Sequence, residues 1–208
     1  MAVTRVVAFE QYKKSKRPKI LKLENSKNNL NDLLIFDMEV DGIICTTNDG
    51  SSYIPNIREW TAIHVTKPYT VEKLLDVKNR TEYKNTKSNA DTIETFCKLY
   101  EKLNYPHIVA HSGMSLDYLV LIAHVYRYVK NEEIVEKFKY FDTYNYIKKY
   151  KQKLKLESLK NSDIFMRFVK KYRHMNYLVC KAHNATEDCL MTGLWLFSGV
   201  WNIKCYSH

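Results

Sequence analysis

The sequence is short of the residues that interrupt structure. Only 5 Gly and 4 Pro occur among 208 residues, which leaves little room for linkers or low-complexity segments, and no internal repeat is visible. The five cysteines, Cys45, Cys97, Cys180, Cys189 and Cys205, are odd in number and form no CxxC pair. That argues against a disulfide framework and against a structural zinc site, and it fits a reducing compartment. No run approaches the ~20 apolar residues of a membrane-spanning helix, so no membrane partner is expected. Residues 1–10 are too short and too broken by charge for a signal peptide. The expectation is an intracellular protein of the cytoplasm or nucleus.

What the chain has is apolar content and positive charge. With 45% hydrophobic residues in 24.7 kDa, one compact domain with a sizeable core is expected over 31–208, preceded by a basic N-terminal arm over 1–30. Lys and Arg number 33 against 23 Asp and Glu, a net charge of +10. Residues 139–173 carry eleven of the basic residues and three acidic ones, and residues 1–32 carry eight against three. Two basic segments around a slightly acidic body fit a polyanionic partner steered toward a metal-binding centre. A solvated lysine face is the plainer reading of the same charges. The cluster Lys13-Lys14-Ser15-Lys16-Arg17-Pro18-Lys19 reads equally as a nuclear-localisation signal or as a solvated arm.

Apolar patterning gives an alternation of strands and helices. Leu33-Leu34-Ile35-Phe36, ending in Asp37, reads as a buried central strand. Ile43-Ile44-Cys45 and the stretch from Trp60 to Val65 read as the next two strands, joined by turns at Asp41-Gly42 and Asn48-Asp49-Gly50. Helical spacing runs over 89–103, with Ser88 and Asp91 as a capping box, and again over 115–129, with Leu119, Ile122, Ala123, Tyr126 and Val129 on one face. Ile108-Val109-Ala110 and the stretch from Phe138 to Phe141 are expected as the fourth and fifth strands. Helices are expected over 143–151, 156–171 and from Asn184 onward, the last with Glu187 in the capping-box position. The expected class is α/β, a five-stranded sheet flanked by helices on both sides.

Chemistry concentrates at three places. Asp37-Met38-Glu39 closes the first strand, and alternation puts Asp37 and Glu39 on one face of it. Asp117 ends the segment His111-Ser112-Gly113-Met114-Ser115-Leu116-Asp117, in the first turn of a helix, where negative charge is tolerated. His183 stands five residues before Asp188 at the start of the last helix. Each piece alone has a bland reading as a strand end, a helix-end carboxylate or a loop histidine. Together they supply what a two-metal phosphodiester hydrolase needs. Two divalent ions about 3.5–4 Å apart require several carboxylates, and the attacking water requires a base.

In this order the residues resemble the DnaQ-like, or DEDDh, 3′–5′ exonucleases. Within them they are most similar to the three-prime repair (TREX-like) branch. The first motif of that branch, Asp-Leu-Glu-Ala-Thr-Gly-Leu, is matched by Asp37-Met38-Glu39-Val40-Asp41-Gly42-Ile43. The second is matched by Ala110-His111-Ser112-Gly113 with Leu116-Asp117, and the third by His183-Asn184-Ala185-Thr186-Glu187-Asp188. Phe141-Asp142-Thr143 and Leu156-Glu157-Ser158-Leu159 also look like this branch. Asp41, Ser112 and Met114 depart from its pattern.

The resemblance implies an RNase H-like mixed sheet and release of nucleoside 5′-monophosphates from single-stranded or frayed DNA 3′ ends. It implies that Asp37, Glu39, Asp117 and Asp188 hold two Mg²⁺, with Mn²⁺ as substitute, and that Glu39 and His183 act in catalysis, His183 as general base. It further places the backbone near Met38 and the side chain of Ile43 against the terminal bases, and it makes a homodimer plausible. His111 would belong to the substrate site, and Lys149 and Lys151, in a basic segment interleaved with Tyr140, Tyr144, Tyr146, Tyr150 and Phe165, to the strand's path. An exoribonuclease of the same superfamily, a silent nucleic-acid-binding module and a proofreading subunit remain open from the sequence.

Overall fold

A computed structural model describes residues 32–43, 45–46, 52–84, 88–129, 132–168 and 174–198. The Leu33–Val40 strand (β1) is at its centre. Leu33, Leu34, Ile35 and Phe36 are all buried, because this strand has helices on both faces and no solvent side to fill with polar residues. Alternation then sorts the side chains. Leu33 and Ile35 join one core, while Leu34, Phe36 and Met38 join the other. Asp37 and Glu39 share the parity of Leu33 and Ile35, so they continue that face past the end of its apolar core.

After the small ribbon Cys45–Thr46 (β2) with Ser52–Tyr53 (β3) come Ile57–Val65 (β4) and, beyond the short helix Val71–Leu75 (α1), Arg80–Lys84 (β5). Then follow Asn89–Lys102 (α2), His107–Ala110 (β6), Asp117–His124 (α3), Glu132–Lys137 (α4), Lys139–Asp142 (β7) and Thr143–Lys148 (α5). The chain continues with Asn161–Phe168 (α6), Tyr177–Cys180 (α7) and Ala185–Ser198 (α8). The main sheet has the order β5-β4-β1-β6-β7. β4 is antiparallel to β1 and to β5, whereas β6 is parallel to β1 and to β7. This is the expected mixed five-stranded sheet with helices on both faces. One core gathers α8, α6 and α1, including Trp195, Leu194, Phe165 and Leu74. The other gathers α2 and α3, including Phe96, Tyr100, Tyr118 and Trp60.

Two expectations about the sheet need correction. The stretch Ile43-Ile44-Cys45 is not one of its strands. Ile43 lies outside any strand and is 71% exposed, and Cys45–Thr46 pairs only with Ser52–Tyr53. The reason lies at Asp41, whose carboxylate accepts from Asn56 N (2.7 Å), Asn56 Nδ2 (2.6 Å) and the Tyr53 hydroxyl (3.0 Å). These bonds tie the end of β1 to the start of β4, which pairs with β1 from Leu33↔Val65 onward. Phe138 to Phe141 does supply a strand, β7, and the sheet place expected for Ile43-Ile44-Cys45 is taken by β5, whose Arg-Thr-Glu-Tyr-Lys sequence is that of a solvated edge. Only its register shows it, together with Tyr83 stacked on Trp60 at 5.7 Å. The expected turn at Asn48-Asp49-Gly50 lies outside the described residues.

Local signals set several boundaries. Ser88 caps α2, taking the Asp91 N–H at 3.2 Å and donating to the Asp91 carboxylate at 2.7 Å. α3 ends sooner than its apolar run suggests. It passes into a π turn over Val125–Val129 and is buried all round rather than along one stripe, since Tyr118, Val120 and Leu121 are enclosed as fully as Ile122 and Ala123. The expected helices over 143–151 and 156–171 are shorter. Residues 149–155 form turns, 156–160 run irregularly into α6, and 169–173 lie outside the described residues. No helix among the described residues is long and apolar enough to cross a membrane.

Candidate active site

Asp37 and Glu39 leave the sheet where β1 loses its ladder regularity, at a bulge between Glu39 and Val40. Asp117 arrives from the other side of the sheet. The loop after β6 folds back tightly, and Tyr118 accepts the Ala110 N–H at 2.9 Å while donating to the Phe141 carbonyl at 2.8 Å. Gly113 is required in that loop. A Cβ there would stand 2.8 Å from Ala110 Cβ and 2.7 Å from the Tyr118 ring. Asp117 is only 7% exposed, and its Oδ1 accepts the Met38 N–H at 3.1 Å, which ties α3 to β1 between Asp37 and Glu39.

The opposite wall is the start of α8. Asn184 caps it through the Thr186 N–H at 3.2 Å. The Glu187 carboxylate takes no capping-box role and instead lies 3.6 Å from Lys181 Nζ. Three contacts fasten this end to the sheet. Glu59 Oε1 accepts the Ala185 N–H (3.1 Å), the Thr61 and Thr186 hydroxyls meet at 2.8 Å, and Cys189 Sγ donates to the Thr61 carbonyl (3.3 Å). They hold Asp188 over β1. His183 is exposed, in a left-handed conformation (φ 71°), and its N–H donates to Asp188 Oδ2 at 2.8 Å.

The result is one cavity of about 480 Å³, lined by Asp37, Glu39, Asp117, His183 and Asp188 among others. One ligand atom each from Glu39, His183 and Asp188 lies within 4.8 Å of the others. The four carboxylates disturb one another. Asp37 keeps some surface on the cavity but is otherwise surrounded by protein, and its carboxyl is pushed well above the usual range by burial and then by Asp117, Asp188, Glu39 and Glu59. Burial lifts Asp117 to about 7, against the pull of the main-chain N–H groups at Asp117 and Met38. Glu39 and Asp188 are raised too, chiefly by burial; nearby His183 draws both back, and Arg58, 3.7 Å from Glu39, helps draw Glu39 down. Four acidic side chains sharing one cavity, with Lys160 the one Lys or Arg among its described lining residues, fit hard divalent ions.

The other predicted residues divide. Met38 lines the cavity, but its side chain is buried in the α2/α3 core and its N–H is taken by Asp117. His111 also lines the cavity, with both ring nitrogens engaged inside the protein: Nδ1 meets the Thr143 hydroxyl at 3.0 Å and Nε2 the Leu159 carbonyl at 2.8 Å. It braces β6, α5 and the 157–160 segment, leaving ring surface rather than a nitrogen for a ligand. Ile43 stands exposed beyond the cavity lining, and Lys149 and Lys151 are exposed on the turns after α5, away from it. The cationic side chain in the lining is Lys160, beside Asn161. Sequence reading missed both, and it missed Glu59. It also missed that Asp142 accepts the N–H groups of Met114, Tyr144 and Asn145 (2.9, 2.9 and 3.2 Å), which binds the Asp117 loop to α5.

No family model and no curated protein matches the chain. Three solved chains do. One, the zinc-bound form of E. coli ExoI in complex with single-stranded DNA, is similar over 81% of this chain with a TM-score of 0.50 at 12% identity. This chain spans 40% of that protein. The likeness is one of fold, an RNase H-like mixed five-stranded sheet with helices on both faces.

Proposed function

We propose that this protein is a metal-dependent 3′–5′ exonuclease of the three-prime repair type, which removes nucleoside 5′-monophosphates from single-stranded or frayed DNA 3′ ends. The observation that carries the proposal is the convergence of Asp37, Glu39, Asp117, His183 and Asp188, from three distant parts of the chain, on one cavity. The fold around it is similar to that of a protein solved with single-stranded DNA.

Asp37, Glu39, Asp117 and Asp188 would hold two Mg²⁺, or Mn²⁺ in their place, and such ions would neutralise the clustered carboxylates, acidify the attacking water and stabilise charge on the departing 3′-oxygen. His183 takes the proton of that water, its open position at the cavity rim leaving a ring nitrogen for the task. Asp188 and Glu39, beside it, stabilise the imidazolium that results. Attack at phosphorus opens the bond to the 3′-oxygen, releases the terminal nucleotide with its 5′-phosphate, and leaves a new 3′-hydroxyl for the next cycle.

Single-stranded DNA and RNA, each labelled at either end, incubated with Mg²⁺ or with chelator, provide the test. Mononucleotides released from labelled DNA 3′ ends only when Mg²⁺ is present are expected. Intact DNA, internal cutting, or faster loss of RNA than of DNA would reject the proposal as stated.

A further inference from the structure

Asn161, the first residue of α6, lies along a stripe of α8 formed by Asp188, Thr192 and Trp195, spaced so that all three project from one side of that helix. Its carboxamide touches each of them. Trp195 Nε1 donates to Asn161 Oδ1 at 2.8 Å, and the Thr192 hydroxyl donates to the same oxygen at 3.2 Å. On its other side Asn161 Nδ2 donates to the Asp188 carbonyl at 3.0 Å and to Asp188 Oδ1 at 3.2 Å.

The orientation of this amide has a single solution. An indole nitrogen donates and never accepts, so the amide oxygen must face Trp195, which is fully buried. The NH₂ group is thereby directed at Asp188. The Asp188 carboxylate is then held on both oxygens, Oδ1 by Asn161 and Oδ2 by the His183 N–H at 2.8 Å. Each oxygen keeps a lone pair for a cation, and the carboxylate cannot swing away from the cavity.

We propose that Asn161 is a positioning residue of the metal centre, with Trp195 as the buried donor that sets its orientation. This rests on the metal-dependent reading above and adds to it the device that aims one of the four carboxylates. Partners that orient a ligating carboxylate are worth roughly 10–100-fold in metal affinity.

The test reads Mn²⁺ affinity from the spin-resonance signal of the free ion, with no substrate present. Asn161→Ala should raise the Kd by roughly 10-fold or more, with the loss of turnover recovered by added Mn²⁺. Trp195→Phe keeps the ring buried and removes only the donor. It should raise the Kd less, by roughly a few-fold within the same range. The double variant should bind no worse than Asn161→Ala, because the effect of Trp195 passes through the amide. Wild-type Mn²⁺ affinity in Asn161→Ala, alongside lost affinity in Asp188→Ala, would overturn the proposal. So would additive losses in the double variant and, should the Asn161→Ala chain be too unstable to titrate, wild-type Mn²⁺ affinity in folded Trp195→Phe. If Asp188→Ala itself bound Mn²⁺ normally, the metal-centre reading would fail instead.

Discussion

The two walls of the cavity are built differently. Asp37 and Asp117 stand on the sheet side, enclosed by protein, in a strand and a helix start whose neighbours are almost all buried. His183 and Asp188 stand at the mouth of α8, where His183 is exposed and held in a left-handed loop by hydrogen bonds. The sheet wall fixes charge in place and accepts the electrostatic cost of doing so. On the function proposed above, two of the metal-holding carboxylates belong to the enclosed wall, while the accessible wall carries the base His183 beside a third, Asp188.

The largest expected effect is on the sheet wall. Asp37→Ala should remove cleavage, leaving less than about a tenth of the rate, which already exceeds one 1.4 kcal/mol step in barrier height. Asp37→Asn should do the same and also raise the Tm of metal-free protein near neutral pH, because the neutral amide removes the burial cost, and after it the repulsion, that lift this carboxyl. A folded Asp37→Ala chain with near-normal turnover would erase the distinction between the walls. On the helix wall, His183→Ala should slow turnover by on the order of 10²–10⁴-fold while Mn²⁺ and single-stranded DNA still bind. Loss of Mn²⁺ binding in that variant would make His183 a ligand and blur the division from the other side.

A smaller effect separates the walls by pH. In metal-free protein Asp117 sits at about 7 against an ordinary 3.8. Between those values the folded chain keeps a proton that the unfolded chain has lost. Stability therefore falls as pH rises through that window, is highest below it, and levels off above about 7. With chelator present, Tm should drop between about pH 4 and about pH 7, and Mg²⁺ should reverse most of the drop. A metal-free Tm that climbs over this range would show that burial does not raise the Asp117 carboxyl as described.

These walls were not equally legible in the sequence. β1 and its two carboxylates could be read because the apolar run and its alternation are local, and Ser88 at the head of α2 could be read for the same reason. The edge strand β5 could not, because a solvated edge has no apolar signature and takes its form from pairing with β4. Nor could Asn161 and Glu59. Asn161 meets Asp188 across 27 positions and Trp195 across 34, and Glu59 meets Ala185 across 126. Motif spacing identified the residues at the centre of the cavity, while those that hold them depend on helix packing that no spacing reports.

The smallest effect concerns the basic segment outside both walls. Neutralising Lys148, Lys149 and Lys151, all exposed, should weaken single-strand binding and lower its salt slope by about 0.7 per lost phosphate contact. Turnover at saturating substrate should hold steady, since none of the three lines the cavity. Unchanged affinity and slope would make them a solvated face and send the strand elsewhere, with Lys160 the next position to neutralise, since it lines the cavity.

The most direct measurement is anomalous diffraction from crystals soaked in Mn²⁺. Two peaks are expected about 3.5–4 Å apart, among Asp37, Glu39, Asp117 and Asp188, and at least one should vanish in Asp37→Ala. No peak between these carboxylates, with Mn²⁺ in excess and the site open to solvent, would contradict the assignment of this cavity as a two-metal centre.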